Sequence, residues 1–154
     1  MTEIFTITRR QVVLASAGLA ATAWVRPALA QSDELAVAVS SYAAGKKITE
    51  GKVKLDVAEL VDNGNVVPIA VTVDSPMTPA NHVKAIAVFN EKNPQRDVVK
   101  FTLGARYGKA DVSTRIRLAT TQKLVAVAQM SDGTFWSHTV EVIVTLAACI
   151  EGEA

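Results

Sequence analysis

Residues 122–146 read QKLVAVAQMSDGTFWSHTVEVIVTL. Two apolar runs, QKLVAVAQM and FWSHTVEVIVTL, flank Ser131-Asp132-Gly133, residue types that suit a tight hairpin connection. In the second run Val140, Val142, Val144 and Leu146 share one face, while Glu141, Ile143 and Thr145 take the other. A period of two is that of a β-strand, whose side chains alternate between faces. The stretch therefore predicts an antiparallel hairpin whose final strand turns one side to a core.

Upstream the same period recurs. ADVSTRIRLA, DVVKFTLG and HVKAIAVFN are strand-like, with a turn at Asn93-Pro94 in EKNPQ and an interruption at SPMTPA. NGNVVPIAVTVDS opens on an Asn63-Gly64 turn and alternates through Val67, Ile69, Val71 and Val73. Pro68 has no N–H to give a ladder, which points to an edge or a bulge. KVKLDV completes about seven strands at spacings of roughly 8 to 15 residues, with no helices between them. Such a chain buries alternate residues between two antiparallel sheets, predicting an all-β, immunoglobulin-like sandwich over residues 31–146. Ahead of it, SDELAVAVSSYAAGKK reads as a short helix that docks on the larger body. Ser32 is the expected N-cap, Leu35, Val39 and Tyr42 form the helical stripe, and Gly45 with Lys46 and Lys47 suits the end. There is no internal repeat, low-complexity tract or second domain.

Residues 1–30 belong to a different class. Arg9 and Arg10 precede a modestly apolar run, and Ala28-Leu29-Ala30 forms an A-x-A pattern before Gln31. A basic start, a short apolar stretch and A-x-A make an export signal; a membrane span needs about 18 apolar residues or more. The arginine pair, the Ala/Gly-rich apolar run and Arg26 near the cleavage pattern resemble the twin-arginine type. Removal of this segment takes Arg9, Arg10, Arg26 and Glu3, leaving 13 basic and 14 acidic side chains, net −1. The whole chain of 154 residues carries +1, so neither form has the basic footprint of a nucleic-acid binder. Its 49% hydrophobic and 20% charged content is that of an ordinary globular protein.

Export implies an oxidising compartment, where cysteines usually pair. Cys149 is the only cysteine, so it is either free or joined to something other than its own chain. It is not a lipid anchor, because a lipoprotein cysteine begins the mature chain and Gln31 stands there; no membrane anchor is expected. A copper site would need two His, a Cys and usually a Met. His82, His138, Met130 and Cys149 exist, but the His and Met that usually follow the cysteine do not, so the histidines read as solvated or hydrogen-bonded strand residues and no metal or cofactor is expected. A cysteine nucleophile needs a base and an oxyanion donor pair fixed beside it, which a residue six from the terminus does not obtain from its own chain. Arg115 and Arg117, on one strand face, read as a solvated surface. Two readings of Cys149 stay open: a thiol beyond the last strand that enters other proteins' active sites, on a tether from Leu146 of at most ~10 Å, or a small apolar residue packed at the sandwich edge.

SPMTPANHVKAIAVFNEKNPQRDVVKFTLG, ADVSTRIRLATTQKLVAVAQMSDGTFW and the cysteine near the terminus resemble the SoxY family, the sulfur-carrying subunits of bacterial thiosulfate-oxidising systems. The likeness runs from about Ala36 to Cys149; STRIRLA with Gln122, MSDG and SPMT are its more specific pieces. The resemblance implies a non-catalytic periplasmic carrier that pairs with SoxZ, a second small β-sandwich protein, as a heterodimer. It implies covalent attachment of thiosulfate-derived sulfur to Cys149, which partner cytochromes and hydrolases then oxidise and cleave. The alternative is a SoxZ-binding structural module with altered or lost cargo. The chain departs from the family in its arm (residues 147–154). In place of Gly-Gly-Cys-Gly-Gly stands Ala147-Ala148-Cys149-Ile150-Glu151-Gly152, which narrows the backbone's conformational range and sets carboxylates beside the sulfur that oppose both a thiolate and anionic thiosulfate.

Overall fold

The computed structural model describes residues 33–147, all within Ser32–Ala154, the second of the two units into which the chain divides. A helix α1 (Glu34–Tyr42) precedes nine strands: β1 (Ile48–Glu50), β2 (Val53–Asp56), β3 (Leu60–Val61), β4 (Val67–Val73), β5 (Val83–Asn90), β6 (Asp97–Thr102), β7 (Ala110–Ile116), β8 (Gln122–Met130) and β9 (Phe135–Val144). The seven strands read from the alternation are all present. β1 and β3 are additional, and at three and two residues they are too short to display a period.

The strands form a long sheet in the order β1-β9-β8-β5-β6, with β3 also on β9, and a short sheet in the order β2-β4-β7. Where the sequence predicts purely antiparallel sheets, β1 and β3 run parallel to β9, alongside Phe135–Ser137 and Ile143–Val144. The chain leaves β1 for β2 in the short sheet, then returns to β9 as β3. A ten-residue strand thus has its outer edge covered near both ends by short segments.

Val53, Leu55, Val67, Ile69, Val71 and Val73 of the short sheet pack against Ile86, Val88, Leu124, Ala126, Ala128 and Val142 of the long one. The runs AIAVF (85–89) and LVAVA (124–128) have no polar residue at alternate positions, so their strands are apolar on both faces. The second face, with Ala87, Phe89, Val125, Val127 and Phe135, is covered by Leu35, Ala38, Val39, Tyr42 and Ala43. The helix therefore docks where the sequence leaves apolar surface on the outside of the sandwich. Pro68 stands where β4 has run past the end of β2, whose pairing reaches only Ala70, so β7 is its single neighbour.

Both ends of α1 differ from the sequence expectation by one residue. Asp33 is the N-cap, its Oδ1 accepting from the Ala36 N–H at 3.2 Å; Ser32 lies outside the described residues. At the other end the Gly45 N–H donates to Ser40 and the Ala44 N–H to Ser41, a paired closure in which Ala44, not Gly45, takes the first left-handed position at φ 51°.

Candidate functional site: the root of the C-terminal arm

β9 ends at Val144, yet the backbone stays pinned for two more residues. The Ile143 N–H donates to the Glu59 carbonyl at 2.7 Å, Thr145 N–H to Val61 at 3.0 Å, and Gly64 N–H to Leu146 at 2.8 Å. The Thr145 hydroxyl donates to the Asp62 carbonyl at 3.2 Å, and the Val144 N–H donates to Thr121 Oγ1 at 3.0 Å. The turn Asp62-Asn63-Gly64-Asn65 is set by Asn63 Oδ1, which accepts from the Asn65 N–H at 2.9 Å. Gly64 also bridges onward, its carbonyl accepting from the Leu118 N–H at 2.8 Å. The arm thus leaves the body at a clamp built from β3, this turn and Thr121.

Leu146, expected on the core face, is 61% exposed. The strand stops at Val144, so the alternation that held for Val140, Val142 and Val144 does not extend to it. Ala147 is exposed. Cys149 and the flanking Ala148, Ile150, Glu151 and Gly152 lie outside the described residues, as do Arg9, Arg10 and the rest of the export segment. Beside the root, Leu60 and Ile143 pair in register on the outer face, at 59% and 51% exposure.

Of the residues weighed for copper, the three described ones, His82, His138 and Met130, are not gathered. Met130 is buried in the core between the sheets. His138 accepts the Leu55 N–H at Nδ1, 3.1 Å away. His82 lies before β5 rather than within a strand, its Nδ1 3.2 Å from the Thr78 carbonyl. Among the described residues no three His, Cys, Asp or Glu side chains come together as a metal cluster.

The specific motifs turn out to organise loops. Gln122 is buried; its Oε1 accepts from the Lys92 N–H at 2.9 Å, and its amide N–H groups donate to Asn93 Oδ1 at 2.7 Å and the Thr120 carbonyl at 3.1 Å. Asn93 in turn donates to the Arg117 carbonyl at 2.8 Å and accepts from Ala119 N–H at 3.0 Å. This network ties the β5–β6 turn to the β7–β8 connection that carries Thr121. In SPMT, Ser75 Oγ accepts from the Met77 N–H at 3.3 Å, and Met77, at φ 49°, places its sulfur 3.4 Å from the Val83 N–H. In MSDG, Ser131 Oγ accepts from the His82 N–H, and Asp132 Oδ1 accepts from both the N–H and the hydroxyl of Thr134. Those Thr134 bonds hold the Asp132 carboxyl below its usual range. Sequence reasoning missed the β3 clamp and Thr121; the Asn63-Gly64 turn was visible, but nothing local tied it to residue 146.

Comparison with known proteins agrees with this architecture. The family described as sulfur oxidation protein SoxY matches residues 39–149. The structure of the sulfur carrier protein SoxY from Chlorobium limicola f thiosulfatophilum is 29% identical, with a TM-score of 0.61 over 73% of this chain and 96% of that one. Superoxide reductases share the fold alone: that of Ignicoccus hospitalis at 19% identity and TM-score 0.54, over 61% of this chain and 80% of that one, and that of Nanoarchaeum equitans at 14% and 0.54, over 62% and 100%. No curated protein matches the sequence. With the motif residues, the two-sheet body and the family match all in agreement, the chain belongs to the SoxY family, sulfur carriers rather than enzymes.

Proposed function

We propose that this protein is a periplasmic carrier that holds thiosulfate-derived sulfur on Cys149 and presents it to the enzymes of a sulfur-oxidising system. One observation supports the reading most. The family match ends on Cys149, three residues past Leu146, whose carbonyl is the last backbone group of the described residues bonded to the body. In the proposed cycle the Cys149 thiolate and thiosulfate join through a new S–S bond, and two electrons pass to a cytochrome partner. A hydrolase partner then adds water across the terminal S–S bond, releasing sulfate and leaving a persulfide on the cysteine. The body itself (residues 31–146) contributes no reacting group; it fixes the point from which residues 147–154 extend and pairs with a SoxZ-like subunit. Delivery by the twin-arginine route, through Arg9 and Arg10, puts the thiol in the compartment of its partners.

Intact-mass analysis after incubation with thiosulfate and the oxidising cytochrome tests this. The expected result is one added thiosulfate, absent in Cys149→Ser. An unchanged mass under conditions that load a glycine-arm relative would refute it, and slow native but fast denatured labelling of Cys149 would mark a packed thiol instead.

A further inference from the structure

β6 ends the long sheet and β7 ends the short one. The flank where both stop is an open cleft of about 520 Å³ between these two strands and the β5–β6 turn. Its wall is apolar at Val98, Val99 and Ile116. Arg115 and Arg117 stand at it, both exposed. Among the described residues the ion pairs are Glu91 with Lys92 and Glu34 with Arg96, so neither arginine has a carboxylate partner there. Asp97 is the one acidic lining residue. Asn90 also lines the cleft and is only 1% exposed. Its amide donates to the Gln95 carbonyl at 3.0 Å, but its Oδ1 has no donor. A buried acceptor left unpaired is costly.

A guest suited to this cleft carries carboxylates and one modest apolar side chain. The segment Ile150-Glu151-Gly152-Glu153-Ala154 of this chain has that chemistry, with two negative charges at Glu151 and Glu153. The clamp also puts it within reach. Leu146 bonds to Gly64 and Gly64 to Leu118, the neighbour of Arg117. Two such backbone steps of ~4.8 Å put the arm's root about 10 Å from Leu118, while five extended residues from Leu146 to Glu151 span up to ~17 Å.

We propose that the cleft between β6 and β7 docks this chain's own acidic C-terminal segment, Ile150–Ala154, with Glu151 and Glu153 on Arg115 and Arg117, and so holds Cys149 against the body between encounters with partners. The inference rests on the carrier reading of Cys149 for its purpose, though not for its geometry. It also gives the departure from a glycine arm a role: the acidic, non-glycine residues are what the cleft recognises.

The test is a nitroxide label on Cys149 of the whole chain, read by electron paramagnetic resonance. At low ionic strength an immobilised component is expected. It should fall about threefold or more at 1 M salt, where charges are screened within ~3 Å. The same loss is expected in R115E/R117E and in E151K/E153K, which alters no residue of the sandwich; combining the two pairs should restore the component. A mobile spectrum in the unsubstituted chain, or an immobile one indifferent to charge reversal, would overturn the proposal. So would an immobilised fraction that grows with protein concentration, which assigns the cleft to another copy's tail. Thiosulfate loading, scored by mass on unlabelled protein, fails or succeeds independently of this spectrum.

Discussion

Replacing Gln122 by leucine removes three hydrogen bonds while nearly conserving volume, so the cost is polar rather than a cavity. Lys92 N–H, Asn93 Oδ1 and the Thr120 carbonyl each lose a partner. All three bonds are partly buried, so water recovers some of the loss, and about 1 kcal/mol per bond gives a destabilisation of roughly 3 kcal/mol. For a body of this size that lowers the midpoint of thermal unfolding by about 10 °C. Urea unfolding followed by circular dichroism measures the change as a shift in midpoint at constant slope. Asn93→Leu disrupts the same network, because its Oδ1 accepts from both Gln122 and Ala119. The double variant should therefore cost about 1 kcal/mol or more below the sum of the two single changes. A loss under about 1 kcal/mol for Gln122→Leu, or strict additivity with Asn93→Leu, would refute the claim that these side chains act as one unit.

Further outcomes follow from the caps, the hairpin and the helix contact. Ala44→Gly should stabilise the protein by roughly 1 kcal/mol, since a left-handed φ of 51° costs an L-residue and not glycine; a lower unfolding midpoint would contradict this. Asp132 has a lowered carboxyl pKa, so its contribution is present above the unfolded carboxylate range and is lost as pH falls through the lowered folded value. Asp132→Asn should accordingly flatten the acid limb of a stability–pH curve. Tyr42 packs against Phe89 and Phe135, and burial raises its phenol. Its contribution is present below the unfolded value near 10 and is lost as pH climbs through the raised folded one. Tyr42→Phe should reduce the alkaline loss of stability, and an unchanged alkaline limb would place the phenol in solvent.

The strands β2 and β4 through β9, the turn at Ser131-Asp132-Gly133 and the position of Pro68 were legible because each is a local pattern: a period of two, or a residue lacking an N–H. The doubly apolar runs of β5 and β8 read only as strands in the sequence; the docked α1 is what shows their second face to be buried. Cys149 stood out by being the sole cysteine. What the sequence could not contain was adjacency across long separations. β1 and β3 exist only because β9 offers them an edge, and Gly64 clamps Leu146 across a gap that no periodicity spans. Arg115 and Arg117 are the solvated side chains the sequence suggested, but only the meeting of two sheet ends places them at one cleft with Asn90. Alternation records which side of a strand meets the core; which strands lie next to one another is decided by closing loops and filling a shared interior, and that is settled only when the whole chain packs.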